Sequence, residues 1–292
     1  MTVGGEAAAL AAGFARTLCD YGWDAFLVPR EGWASLGQDL DVIVACSPRF
    51  VPSAAPGKPV LLGWAAQPGE FAGRTDLAAY DAMLAPSALA AERLAGSFDG
   101  PITLLPPAVD APLFRHGDAV VARQGTPLVD VAAPLERALA KYRGAVAVVC
   151  ESSLDHRSHG VPPLTLLHAV AAGALPVGTS RLGLMELGLG EVDVATDAEG
   201  IAAATEAAVR HPDVAAVQAQ RLRNVLMDRH TWPHRLAAFE AAIERAKEAH
   251  QQSRTVVGYF PDYADNPYQR MLYAATVAAG VRLVPLPDPI NA

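Results

Sequence analysis

Cysteine is scarce in this chain, with three in 292 residues, Cys19, Cys46 and Cys150. An odd number so widely spaced fits neither a disulfide framework nor a zinc site. Cys46 and Cys150 each end an apolar run, which suits small core residues near strand tips. Basic residues are also short: 23 Lys and Arg stand against 31 Asp and Glu, a net charge of −8. That balance argues against non-specific nucleic-acid binding, which needs a basic footprint. A phosphorylated ligand stays allowed, because a local Arg and helix dipoles act at closer range than the global field. No apolar run approaches the ~20 residues of a membrane span. No basic region precedes the first apolar stretch, which Glu6 and Arg16 interrupt, so a cytoplasmic protein is expected. Gly4-Gly5 is not a dinucleotide fingerprint, since no G-x-G-x-x-G follows a strand. Its lack argues against a nucleotide-dependent dehydrogenase or epimerase.

What the chain has is alanine, valine and leucine in segments of alternating type, the signature of an α/β protein. The organising stretch is Ala145–Thr179. Ala145–Cys150 is a continuous apolar run, suited to a parallel strand covered on both faces. Glu151–Gly160 reads as a polar loop. Pro162 and Pro163 suit the first turn of a helix and Gly173 its left-handed end. Leu175–Val177 begins the next strand. In open α/β sheets ligands bind beyond the carboxyl ends of strands, against helix N-termini, so this loop is the first place to look for chemistry.

Upstream, Glu6–Tyr21 has helical spacing through Leu10, Phe14 and Leu18. Strands are expected at Trp23–Val28, Asp41–Cys46, Pro59–Trp64, Tyr80–Ala85 and Ile102–Leu105, with a helix at Ala88–Ala95. No clear strand precedes the first helix. Pro106–Gly125 is rich in proline and glycine and reads as an interdomain connection. Downstream come a short strand at Pro127–Val131, a helix at Leu135–Tyr142 and a strand at Val192–Ala195. Helices follow at Asp197–His211 and Asp213–His230. Thr231 caps a last helix with Pro233 in its first turn and a stripe of Leu236, Phe239, Ile243 and Ala246. Glu248–Arg254 reads as a linker. The tail opens a new βαβ unit: strand Thr255–Phe260, helix Asn266–Ala279, strand Val281–Leu286. It is either the start of another domain or a donor of the strand that the first half lacks.

From His159 the chain reads HGVPPLTLLHAVAAGALPVGTSRLGLMELG, then EVDVATDAEGIAAATEAAVRHPD, then RHTWPHRLAAFEAAI. In order and spacing this resembles the nucleotide-binding domain of GT-B glycosyltransferases, especially the spore-maturation-type (CgeB-like) branch. Weaker matches are PGKPVLLGWAAQP, YDAMLAPS and LLPPAVDAPLF. The tail GYFPDYADNPYQRMLYAATVAAGVRLVPL resembles the opening of a further GT-B domain. The resemblance implies an α/β, GT-B-like architecture of two shortened Rossmann-like domains with parallel sheets. Residues 1–112 would form the acceptor side, 113–250 the nucleotide-sugar side, and 251–292 a linker and βαβ segment. It implies transfer of a sugar from a nucleotide-diphosphate sugar to an acceptor of unknown kind. No cofactor other than that donor substrate and no metal are implied. Nucleic acid and an integral membrane segment are not expected partners; a further glycosyltransferase domain is.

The candidate donor-binding residues are Arg157, His159, Gly160, His168 and Glu186. Backbone N–H groups at the helix start after His159-Gly160 can hold a diphosphate, and Arg157 can add a bidentate contact. Glu186 matches the family's loop glutamate near the donor. It equally suits a helix N-terminus as a purely structural acid. His168 stands where the family carries an acidic residue that accepts hydrogen bonds from ribose hydroxyls. A neutral His accepts only one. The region between Phe114 and Ala145 is shortened too, leaving Arg123, Arg137, Lys141 and Arg143 as its cations. These two departures favour an alternative, a degenerate non-catalytic GT-B-like binding or scaffold module. Glu151 at a strand tip and Asp110 at the hinge have equally good structural readings. His156-x-x-His159 with Asp155 is a weak metal pattern for want of a third ligand of matching spacing. For a catalytic base, Asp20, Glu31 and Glu70 are candidates by residue type alone.

Overall fold

A computed structural model describes residues 6–36, 40–47, 49–50, 59–71, 74, 77–115, 135–252, 255–258, 271 and 282–285. Helix α1 (Glu6–Asp20) leads to a 3-10 turn at Arg30–Ser35. Four strands follow, β1 (Val42–Ala45), β2 (Val60–Trp64), β3 (Ala82–Ala85) and β4 (Ile102–Leu104). They form one parallel sheet in the order β1-β2-β3-β4. The crossovers carry α2 (Pro68–Phe71) and α3 (Ala88–Ala95). Ser87 caps α3 by accepting a 3.0 Å hydrogen bond from the Ala90 N–H.

After α4 (Ala111–Arg115) and α5 (Leu135–Gly144), a second parallel sheet runs β5 (Ala147–Cys150), β6 (Leu175–Gly178), β7 (Asp193–Val194). Between β5 and β6 lie α6 (Leu154–His159) and α7 (Leu164–Ala171). Then come α8 (Ala198–Arg210), α9 (Pro212–Arg229), a 3-10 turn at Trp232–Arg235, and α10 (Leu236–Gln252). The last described strands, β8 (Thr255–Gly258) and β9 (Arg282–Pro285), pair in parallel with each other as a separate sheet. The expected α/β class with parallel sheets is therefore what the chain adopts. Among the described residues no helix is long and apolar enough to cross a membrane.

The first sheet is covered on both faces, and alternation along its strands decides which residue serves which face. Met83 and Ala85 join Phe71, Leu77, Ala90 and Leu94 in one core, under the crossovers. Leu62, Trp64, Ala82 and Leu84 face the other way, into a core shared with α1 and α10. At its centre the Phe14 ring lies 5.8 Å from Trp64, 5.2 Å from Trp232 and 4.9 Å from Phe239. Such edge and tilted contacts add to the gain from apolar burial.

The chain thus returns to its first sheet at the end. The return is tied to the 105–110 segment. Val109 and Thr231 form a parallel bridge, and buried Arg235 donates to the carbonyls of Pro106 (2.9 Å), Pro107 (3.3 Å) and Arg229 (3.1 Å). Burial lowers the Arg235 pKa to about 10. A division at residue 250 therefore differs from the packing, since α10 covers β2, β3 and β4 of the first sheet.

Three further expectations are corrected. Trp23–Val28 is not a strand: Trp23 and Ala25 pack on the core while Phe26 and Leu27 stay 60% and 55% exposed, and among the described residues no strand pairs with this stretch. Glu151–Gly160 is not a plain loop but contains α6, begun by a capping box in which Ser153 and His156 serve each other's backbone N–H. Glu248–Arg254 is not a linker throughout, because α10 continues to Gln252 and His250 reaches Asp81 at 3.1 Å. The tail strands pair with each other, so among the described residues neither completes the first sheet. The strand expected at Pro127–Val131 and the cation Arg123 lie outside the described residues.

Candidate functional site

Loops at the carboxyl ends of the two sheets meet at one junction. From the first sheet, β2 leads into α2 and β3 leads to Ser87 and α3. From the second, β5 leads into α6 and β6 into the turns that carry Glu186. The loops after β5 and β6 are joined by a 2.8 Å hydrogen bond from the Ser152 N–H to Thr179 Oγ1. Gly160 ends α6 at φ 64°, the left-handed cap that an L side chain rarely adopts, and this turns the chain towards α7. Pro163 is the N-cap of α7, so both prolines precede the helix instead of lying in its first turn, and Gly173 follows its end at φ 78°, left-handed as expected.

The two halves are held together by carboxylates seated on backbone N–H groups of the opposite half. Glu6, first residue of α1, accepts from the Leu164 N–H at the start of α7 at 2.8 Å. Its other oxygen lies 2.7 Å from His156 Nε2. Asp155 on α6 accepts from the Gly69 N–H of α2 at 2.8 Å. Glu186 accepts from the Ala88 N–H at the start of α3 at 3.3 Å. Helix N-termini favour negative charge, so each pairing is locally stabilising. Gly69 is needed where it stands, since a Cβ there would meet Asp155 Oδ1 at 2.2 Å. Ser87 completes the closure by donating its hydroxyl to the His159 carbonyl.

The expected donor-binding residues divide into two groups. His159 and Gly160 are buried where the second half meets Ser87 and Leu89 of the first, and His159 Nδ1 lies 2.9 Å from Asp155 Oδ1. Arg157 is exposed on α6, and Glu186 is exposed in the turn after β6, where it meets the start of α3. No hydrogen bond or ion pair involves the Arg157 guanidinium among the described residues. His168 lies one turn into α7, half-buried, with its ring 5.7 Å from Phe114 and 5.9 Å from Tyr142. Burial pulls its pKa down to about 4, against the charge of Glu6 at the start of the same helix, so the imidazole is neutral.

Asp110 is engaged by Arg16 (2.9 Å from Nε), tying α1 to the 105–110 segment. Glu151 is exposed at the tip of β5. Among the base candidates Glu70 stands on α2, which packs against α6. Asp20 is at the far end of α1, about 20 Å from Glu6 at 1.5 Å per residue, and Glu31 is exposed in the 3-10 turn. His156 and His159 face different carboxylates, and among the described residues no three His, Cys, Asp or Glu side chains gather as metal ligands. Burial pushes the thiols of Cys46 and Cys150 up to about 12, the condition of inert core cysteines. Glu6 escaped the sequence reading. Its partners are 150 and 158 residues away in the chain, and the one local signal was an acid at a helix start.

No family model matches the chain, and no curated protein does. Among solved structures, a sucrose-phosphate synthase from Thermosynechococcus elongatus is 13% identical over 79% of this chain and 81% of that one, with a TM-score of 0.44. AviGT4, a glycosyltransferase involved in avilamycin A biosynthesis, is 15% identical over 82% of this chain and 88% of its own, with a TM-score of 0.43. Likenesses at this level support neither a site nor a reaction.

Proposed function

We propose that the chain is a GT-B-type glycosyltransferase unit that binds a nucleotide-diphosphate sugar in a cleft between the half built on the first sheet, to which α10 returns, and the half built on the second. The observation that supports this reading is the meeting of loops from the carboxyl ends of two parallel sheets, with N–H groups at the starts of α2, α3 and α7 lying at that junction. Ligands of open α/β sheets bind at such ends, and helix N-termini accept phosphate. The motif HG-x-P-P followed by a helix supports the assignment of the donor to the second half.

The diphosphate would sit at the start of α7, with Arg157 supplying a charged fork. His159, Gly160 and Glu186 would orient the sugar. As the bond between the sugar and the diphosphate breaks, the helix dipole and Arg157 would stabilise charge on the leaving diphosphate, and positioning would supply much of the rest. The acceptor would approach from the first half. The parallel pairing of β8 and β9 supports reading the tail as the start of a further domain of the same kind.

A second reading, a non-catalytic binding or scaffold module, is favoured by one feature of the same cleft. Glu6, Asp155 and Glu186 already occupy its backbone donors. Calorimetric titration with UDP, GDP, dTDP and their sugar conjugates separates the two. Micromolar binding that is lost in Arg157→Ala, with unfolding temperature unchanged, supports the transferase reading. No binding to any of them leaves the scaffold reading.

A further inference from the structure

The two edges of the first sheet are built differently. At one, β4 follows Pro101, its Thr103 hydroxyl accepts from Arg245 of α10 at 2.6 Å, and Pro106 and Pro107 close the segment. Charge and proline of this kind discourage the addition of a further strand. At the other, β1 reads Val-Ile-Val-Ala, without charge or proline. The Val60 N–H donates to the Asp41 carbonyl at 2.9 Å. A parallel ladder alternates, so Ile43 and Ala45 turn their backbone groups to β2, while Val42 and Val44 turn theirs outward. Among the described residues those outward N–H groups have no partner and no strand pairs with this edge. The Val44 carbonyl meets the Cys46 thiol at 3.8 Å. Val42, Ile43 and Val44 are half-buried, whereas every residue of β3 is buried. The open edge is thus apolar on both faces.

The tail carries a matching strand. β8 and β9 form a parallel sheet of two, which is marginal by itself. β9 is Arg-Leu-Val-Pro, with a charge and a proline to guard it. β8 is Thr-Val-Val-Gly, uncharged and β-branched like β1. The β1 edge of its own copy is out of reach. α10 ends at Gln252, and His250 in its last turn meets Asp81, just before β3. A strand outside β1 lies three strand spacings from β3, ~14 Å. The three residue steps from Gln252 to Thr255 span at most ~11 Å. We propose that β8 of one copy adds in parallel to the outer edge of β1 in a second copy, and that two copies exchanging tails in this way form a dimer. The added strand takes up the Val42 and Val44 N–H groups and extends the sheet to the order β8-β1-β2-β3-β4. Each copy offers one open edge and one β8, so a reciprocal exchange satisfies both and closes the assembly.

The test is size-exclusion chromatography with light scattering on the full chain across micromolar concentrations, beside two variants. Val44→Pro removes an outward N–H without touching the β2 ladder, a change that an edge strand tolerates. Val256→Lys combined with Val257→Lys puts charge on both faces of β8. The parent should reach twice the mass of one chain, and each variant should raise the dissociation constant at least about tenfold. Mixed in equal amounts, the two variants should associate one to one, since one keeps β8 and the other keeps the open edge. A parent that stays monomeric throughout, association unchanged in either variant, or variants that stay apart on mixing would each overturn the proposal. The lysine variant leaves the first sheet as it is and keeps the test valid if the proline variant folds poorly, which thermal unfolding reports.

Discussion

Mild acid should unfold this protein in a way that a single ring substitution can halve. His168 is half-buried beside Phe114 and Tyr142, and desolvation, outweighing the opposing charge of Glu6, pulls its pKa from the ordinary 6.5 to about 4. His230 is also pulled to about 4, by burial first and then by the Arg235 charge; Arg235 donates to its Nδ1 at 2.7 Å. The direction follows from proton counting. Above pH 6.5 both rings are neutral in the folded and the unfolded chain and contribute no slope. Between 6.5 and 4 the unfolded chain takes up protons that the folded chain refuses, so stability falls as the pH falls. Below 4 both states are protonated and the loss is complete. At 1.36 kcal/mol per pH unit each ring accounts for ~3 kcal/mol. Two such losses, ~6 kcal/mol, rival the 5–15 kcal/mol that hold a typical domain together. The assay is urea unfolding at steps from about pH 7.5 to about pH 4.5, with His168→Phe beside the parent. Phenylalanine keeps the aromatic contacts and has no proton to gain, so the variant should lose roughly half as much over this range. Equal losses in the two chains would refute a His168 that stays neutral in the folded chain. By the same reasoning His168→Glu should destabilise the fold, since it puts a carboxylate among apolar rings, and should bring no gain in nucleotide affinity.

Other perturbations test the scaffold around the cleft. Phe14→Ala removes the ring shared by Trp64, Trp232 and Phe239 and should cost ~3–5 kcal/mol in urea unfolding. Arg235→Met keeps the bulk but leaves the Pro106 and Pro107 carbonyls without their donor, so a loss of ~2–4 kcal/mol is expected by the same assay. Glu186→Gln takes a charge from the exposed start of α3. It should cost ~0.3–1 kcal/mol at low salt, fading as salt is raised, in thermal unfolding read at two ionic strengths.

The regular elements were readable because their signals are local. Ser87 before Ala88–Ala95 and Asp197 before Ala198–Arg210 are cap residues whose side chains accept from N–H groups three residues on. The apolar runs ending at Trp64, Ala85 and Cys150 became buried parallel strands, as two-faced cover requires. Trp23–Val28 had the same look and failed, because a strand also needs a neighbour to pair with. Helix α6 was missed because its N3 residue is His156, where a capping box is usually recognised by Glu or Gln.

The sequence by itself determined the α/β alternation, most of the caps, and the stretch around His159-Gly160 where chemistry is to be sought. Periods of two and 3.6 residues and cap positions are properties of neighbours along the chain. Only the tertiary structure decided which groups meet there. It brought Glu6 to residues 150 and 158 positions away, turned His168 towards Phe114 and Tyr142, and sent α10 back over the first sheet. Those outcomes depend on how one packed half docks against the other, and spacing along the chain holds no record of that.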